Sequence, residues 1–330
     1  MRSHLHPLLR AVPVAVLALV AAPAAAQSYT FTDLGVLAGT TSSGRGINAA
    51  GDVVGRSTIA DGSTSAALWK NGSTADLGSL GAGRGIAFAV NDAGQAVGSS
   101  RSLPGSQTHA TLWTGNAVTD LGTLGGTDSF AYAINNAGKT VGYSTIRANN
   151  AIAHAVLWYA GQLVDLNPAG YSASVANGIN FGGRIAGYAQ PVNTRISHAV
   201  AWGSAGFTDL GTLGGVNSQA TGINDAGQVV GSSNTTGNLA YHAALWNAGA
   251  VTDLNSFLDA AQANTWDLQF AFAINAGGSI TGQAMNNFTH ETHAYLLSAA
   301  AAPPVPEPTS LALMLAGLGA TGLVLRRRRS

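Results

Sequence analysis

Asp209-Leu-Gly-Thr-Leu-Gly-Gly215, then Ala220-Thr-Gly-Ile-Asn-Asp-Ala-Gly-Gln-Val-Val-Gly231, then His242-Ala-Ala-Leu-Trp246 is one copy of a unit that fills most of the chain. Its Asp-Leu landmark recurs at Asp33, Asp76, Asp120, Asp165, Asp209 and Asp253, in steps of 43 to 45 residues. A fixed period of that size marks an array of supersecondary units, so the array must be settled before any residue is read chemically.

Each period holds four strand-like runs. The first ends in Ile/Val-Asn, at Asn48, Asn91, Asn135, Asn180, Asn224 and Asn275, and a glycine turn follows it. Asn and Asp bond their own backbone there, and Gly takes positive φ, which is hairpin chemistry. A short second run and a longer variable loop come next. The third run ends at Trp69, Trp113, Trp158, Trp202 or Trp246, and a turn such as Lys70-Asn71-Gly72 leads to the fourth, ending at Asp-Leu. Four antiparallel strands in about 44 residues describe a propeller blade, and a solenoid ranks second.

The ends of the array are complementary. It begins with a lone fourth strand, Tyr29 to Leu34, and finishes with three strands and no fourth. We therefore expect an all-β, six-bladed β-propeller of four-stranded antiparallel blades, with the N-terminal strand closing the last blade and removing both free edges. Deleting residues 27–35 is then expected to lower the melting temperature, and an unchanged melt would reject the closure. On the inner strand, Gly or Ala stands one and three residues before each Ile/Val, as at Ala87 and Ala89, so alternation predicts that both small residues share the face toward the axis. The tight turns fall on one rim and the variable loops on the other, where function is expected.

The two ends of the chain read as addresses. Residues 1–26 form a signal peptide: Arg2 and Arg10, an apolar run from Ala11 to Val20, and small Ala24 and Ala26 before cleavage at Gln27 by signal peptidase. Residues 27–298 form the repeat domain and 299–305 an Ala/Pro linker. Residues 306–330 hold Pro306-Glu307-Pro308, an apolar transmembrane segment 311–325 about 22 Å long as a helix, and Arg326, Arg327, Arg328 and Arg329, which keep their end in the cytoplasm.

Charged residues are only 9% of the chain, with 15 basic against 15 acidic. Setting aside the six terminal arginines and Glu307 leaves 9 basic against 14 acidic, which argues against nucleic acid as a partner. With no cysteine, the fold must hold by packing alone.

Two resemblances follow from these residues. Pro306-Glu307-Pro308, the apolar run and the arginine tail resemble a PEP-CTERM sorting signal. That implies a Gram-negative host, transient anchoring in the inner membrane, processing by exosortase, and release to the cell surface or exopolysaccharide matrix. The repeat resembles the HAF repeat of exported bacterial proteins, on His242 to Trp246, Asp209 to Gly215 and Ile223 to Gly231. Ser65 stands for its first His, Ala67 and its equivalents for the usual Phe, Leu297 for its last Trp, and Asn167 and Asn255 for Gly after Asp-Leu. That family carries no defined biochemical activity, so the resemblance implies location rather than chemistry.

Histidines recur with an Asp 11 residues on: His109 with Asp120, His154 with Asp165, His198 with Asp209, His242 with Asp253. A ring adds His293 with Asp33. Copies in every blade point to a structural network, similar to the His–Asp networks of WD-repeat propellers, rather than to catalysis. The repeated tryptophans read as blade packing. Gly211 to Gly215 lacks the Lys and helix of a phosphate loop, no Asp-rich loop has calcium spacing, and the remaining acids are scattered. The sequence thus points to no catalytic residue, metal or cofactor. It points to a binding or structural protein of the surface or biofilm matrix. A lectin-like exopolysaccharide module stands second, with a ligand face drawn from Arg56, Arg101, Tyr143, Arg147, Tyr188, Arg195 and Trp266 beside Arg84. A polysaccharide hydrolase or lyase stands third.

Overall fold

The computed structural model describes residues 32–298, apart from 103–106, 148 and 205. The signal segment, linker and sorting segment lie outside them. The chain divides into two units, Met1–Asp33 and Leu34–Ser330, and the described strands all belong to the second.

The protein is an all-β, six-bladed β-propeller with almost no helix. Blade 1 is β1 (Ser42–Ile47), β2 (Val53–Thr58), β3 (Thr64–Lys70) and β4 (Ser73–Asp76). Blade 2 is β5 (Gly81–Val90), β6 (Gln95–Ser102), β7 (Thr108–Thr114) and β8 (Ala117–Asp120). Blade 3 is β9 (Gly125–Ile134), β10 (Thr140–Ile146), β11 (Asn149–Tyr159) and β12 (Gln162–Asp165). Blade 4 is β13 (Tyr171–Ile179), β14 (Ile185–Pro191), β15 (His198–Gly203) and β16 (Gly206–Asp209). Blade 5 is β17 (Gly214–Ile223), β18 (Val229–Thr235), β19 (Tyr241–Asn247) and β20 (Ala250–Asp253). Blade 6 is β21 (Trp266–Ile274), β22 (Ile280–Asn286) and β23 (Thr292–Leu297). Within each sheet the strands pair antiparallel in sequence order; in blade 3 the paired strands are β10, β11 and β12, and β9 lies against β10.

Turn chemistry makes the hairpins. Asn71 and Gly72 both take positive φ, 51° and 73°, as do Ala160 with Gly161 and Ala248 with Gly249. Two successive residues of that kind form the hairpin turn whose twist matches its strands. The first turn of each blade closes on its Asn: Asn135 Oδ1 accepts from the N–H groups of Ala137 and Lys139, both at 3.1 Å. The same Asn reaches across to the next blade. Asn48 Nδ2 donates to Asn91 O, Asn91 to Asn135 O, Asn135 to Asn180 O, Asn180 to Asn224 O and Asn224 to Asn275 O, at 3.0–3.1 Å.

The inner strands depart from simple alternation. Register skips one residue between Gly44 and Gly46, Ala87 and Ala89, Ala176 and Gly178, Ala220 and Gly222, and Ala271 and Ala273. Each skip is a β-bulge whose extra residue is Arg45, Phe88, Asn177, Thr221 or Phe272; Tyr132 holds that repeat position in blade 3. The bulge overturns the expectation that the two small residues share a face. Ala176 belongs to the core between blades 3 and 4 together with Val141 and Ala155 of blade 3, so it faces the preceding blade. Ala133 packs against that same core from blade 3 and so faces the following one. Opposite the bulge stands a glycine. A Cβ on Gly142 would collide with the carbonyl oxygen of Phe130, and one on Gly98, Gly187, Gly231 or Gly282 meets the same obstacle.

Five apolar cores fill the five seams between consecutive blades. Four of them take one tryptophan each, Trp113, Trp158, Trp202 or Trp246, and the last takes Leu297; these tryptophans and Trp69, which lies outside the five cores, are all at most 7% exposed. Stability is therefore close to a sum of blade and seam contributions. Flanking the array, Ile47 is 68% and Leu296 67% exposed, and Ala294 is exposed although Ala66, Ala110, Ala155, Ala199 and Ala243 at its repeat position are buried. Among the described residues blade 6 has three strands. The strand expected to complete it, Tyr29 to Leu34, falls outside them as far as Phe31, and Thr32 to Leu34 form no strand.

Among the described residues one α-helix interrupts the pattern: α1 (Ala260–Thr265), in the insert before blade 6. A reciprocal capping box starts it, Asp259 accepting from the N–H of Gln262 while the Gln262 side chain accepts from the N–H of Asp259.

Candidate functional site

The repeated histidines sit at hairpin edges. His109 Nδ1 lies 2.7 Å from Asp120 Oδ2, His154 2.8 Å from Asp165, His198 2.6 Å from Asp209 and His242 2.6 Å from Asp253. The second oxygen of each Asp accepts a backbone N–H two residues on, from Gly122, Asn167, Gly211 or Asn255, at 2.8–2.9 Å. Each carboxylate thus ties the third strand to the connector entering the next blade. In blade 1 Ser65 does the work of the histidine, its hydroxyl donating to Asp76 at 2.5 Å. His293 stands beside Glu291, with Nε2 3.9 Å from Oε2, and the Trp266 ring at 4.9 Å. Asp33, its expected partner, belongs to the other unit, and that pairing stays an expectation. Among the described residues no three His, Asp or Glu side chains gather as metal ligands.

The candidate site lies where the repeats differ. Next to each bulge, one cross-strand pair spans the first and second strands. It is Ser43–Arg56, Ile86–Ser99, Val175–Tyr188, Gln219–Ser232 and Phe270–Gln283 in blades 1, 2, 4, 5 and 6. In blade 3 the residues are Phe130 and Tyr143, stacked with centroids 5.1 Å apart. Tyr132, at the bulge position, lies 5.8 Å from Tyr143 and meets Phe88 of blade 2 edge-on at 5.5 Å. Phe130, Tyr132 and Tyr143, with Tyr188, Asn177 and Asp128, line a cavity of about 710 Å³ at the junction of blades 3 and 4.

Burial sets the chemistry of the phenols. It pushes the Tyr143 hydroxyl well above the usual tyrosine range, with Tyr132 and the Asp128 carboxylate adding to the effect. Burial raises Tyr132 and Tyr188 as well. All three stay neutral at physiological pH; the Tyr132 and Tyr143 hydroxyls bond one another, which leaves two O–H groups to donate. Asp128 is held by the Thr108 N–H on Oδ1 at 3.0 Å and the Thr127 hydroxyl on Oδ2 at 2.7 Å, which leaves lone pairs for a ligand.

A second cavity, about 240 Å³, lies on the blade 2 side and shares Phe130 as a wall. Arg84 and Arg101 both line it, with Ser99, Thr64 and Thr108. Of the ligand-face residues read from sequence, the structure brings Tyr143 and Tyr188 into the first cavity and Arg101 into the second. Arg56, Arg147 and Arg195 are exposed and line neither. Trp266 is half-buried beside Leu258, His293 and Tyr295, in a separate cavity of blade 6. Phe130, Tyr132 and Asp128 are the members that sequence reasoning missed. The available signal was a coincidence of off-repeat aromatics at one register position in neighbouring copies.

Comparison with known proteins bears on the chain's end rather than on this cavity. A search of curated proteins gives no match. Residues 304–329 match the PEP-CTERM protein-sorting motif, so the chain carries the sorting signal of an exported protein that exosortase processes.

Proposed function

We propose that the protein is a surface or matrix component of a Gram-negative bacterium, of the HAF-repeat kind, which holds exopolysaccharide in the cavity between blades 3 and 4. The sorting motif supports the destination. The observation that carries the binding reading is the convergence of Phe130, Tyr132, Tyr143 and Tyr188 on one cavity of a scaffold that elsewhere repeats itself. Ring faces receive the C–H face of a sugar, and neutral phenols, Asn177 and Asp128 offer donors and acceptors to its hydroxyls. One carboxylate among the lining residues supports binding over hydrolysis, which needs two convergent ones.

A glycan array with the purified protein tests the reading. Replacing Tyr143 and Tyr188 together by Ala is expected to weaken the best oligosaccharide about 30-fold, the effect of roughly 2 kcal/mol at a binding hot spot. The far-ultraviolet spectrum should not change. A blank array, or a double variant that binds as the parent does, would leave only a structural protein.

A further inference from the structure

Phe130 walls two cavities of opposite character, and that arrangement says more than either cavity alone. On one side are three phenols and the Asp128 carboxylate, with no basic side chain among the lining residues. On the other are two guanidinium groups and the hydroxyls of Thr64, Ser99 and Thr108, with no acid among them. Thr108 connects the two: it lines the arginine cavity while its N–H fixes Asp128 in the other. The volumes, about 710 and 240 Å³, suit a sugar ring with its substituents in the first and an anionic substituent in the second.

Resting on the binding reading above, we infer that the two cavities are consecutive subsites for a linear polysaccharide that alternates an uncharged sugar with an acidic one. The uncharged ring lies on Phe130 and Tyr143, and the carboxylate of its neighbour meets Arg84 and Arg101. Charge fixes the order. Asp128 repels a uronate from the first cavity, because desolvated like charges are costly at short range. No carboxylate stands among the residues lining the arginine cavity, Asp61 lies outside it within electrostatic reach of Arg84, and the guanidinium pair matches a ligand carboxylate through paired N–H donors. A homopolymer of either kind satisfies only one of the two sites.

Calorimetry on the full-length protein separates the cases with three tetrasaccharide probes: alternating N-acetylglucosamine and glucuronate, all N-acetylglucosamine, and all galacturonate. The alternating probe should bind at least about tenfold tighter than either homopolymer, the worth of one charge-assisted pair. Arg84→Gln with Arg101→Gln should reduce it to the level of the neutral probe and leave the neutral probe's affinity unchanged. A neutral or all-acidic probe binding as tightly as the alternating one overturns the two-subsite arrangement, as does a double variant that keeps the tenfold preference. In those cases the binding reading stands, provided Tyr143→Ala still weakens the neutral probe. If none of the three probes binds and the array is also blank, the binding reading falls with the inference.

Discussion

Gly142→Val is expected to disrupt blade 3 and abolish the aromatic cavity with it, at a cost of about 3 kcal/mol. The carbonyl oxygen of Phe130 lies where the new Cβ must go, and the nearest side of Ala131 closes the remaining space. Backbone cannot yield as a flexible side chain does, so the first two strands must part. That moves Phe130 away from Tyr143, its stacked partner across the strand pair. Two measurements check this. The melting temperature should fall by several degrees, and the near-ultraviolet tyrosine signal should weaken in parallel. A variant that melts with the parent would show that the bulge does not need glycine opposite it.

Asn135→Ala carries the second large effect, again about 3 kcal/mol, from three hydrogen bonds at roughly 1 kcal/mol each. The side chain is 6% exposed. It satisfies two N–H groups of its own turn and the carbonyl of Asn180 in the next blade. Alanine leaves the Ala137 and Lys139 N–H groups of the turn without their acceptor and takes one of two donors from the carbonyl of Asn180, which keeps the N–H of Gly183. Asn135→Asp is the sharper control. It keeps the acceptor for the turn but turns the donor into an oxygen facing the carbonyl of Asn180, so it should be no more stable than the alanine variant. Urea unfolding measures both, and a loss under about 0.5 kcal/mol in each would show that the turn stands without the link between blades.

Much of the fold was legible because the repeat writes each local rule several times. Asn-Gly turns, buried tryptophans and the 11-residue His–Asp spacing each correspond to a contact in several blades. The bulge was not legible. A two-residue period assumes unbroken pleating, and one extra residue reverses the face of everything beyond it, which is why Ala87 and Ala89 part company. The ladder of asparagines was half visible: its turn-forming oxygen follows from the sequence, while its reach to the next blade depends on how closely the blades converge. Helix α1 had a readable start in Asp259 and Gln262, but six residues between strands carry too short a pattern to stand out. At the cavity, Tyr143 and Tyr188 were visible as aromatics outside the motif. Phe130 and Tyr132 lay within a strand whose variability looked like tolerance, and Asp128 looked like one scattered acid among several.

The asparagine ladder also has a polarity. Every recorded link runs from the amide of one copy to the carbonyl of the copy that follows it in the chain. Secretion delivers the amino end first. A blade that folds on emerging therefore waits with an unanswered donor until its successor arrives, and never with an unanswered acceptor. Assembly during translocation is expected to be vectorial on that account, and a chain arrested after three copies is expected to leave Asn135 as its vulnerable edge, open to proteolysis at the turn it holds.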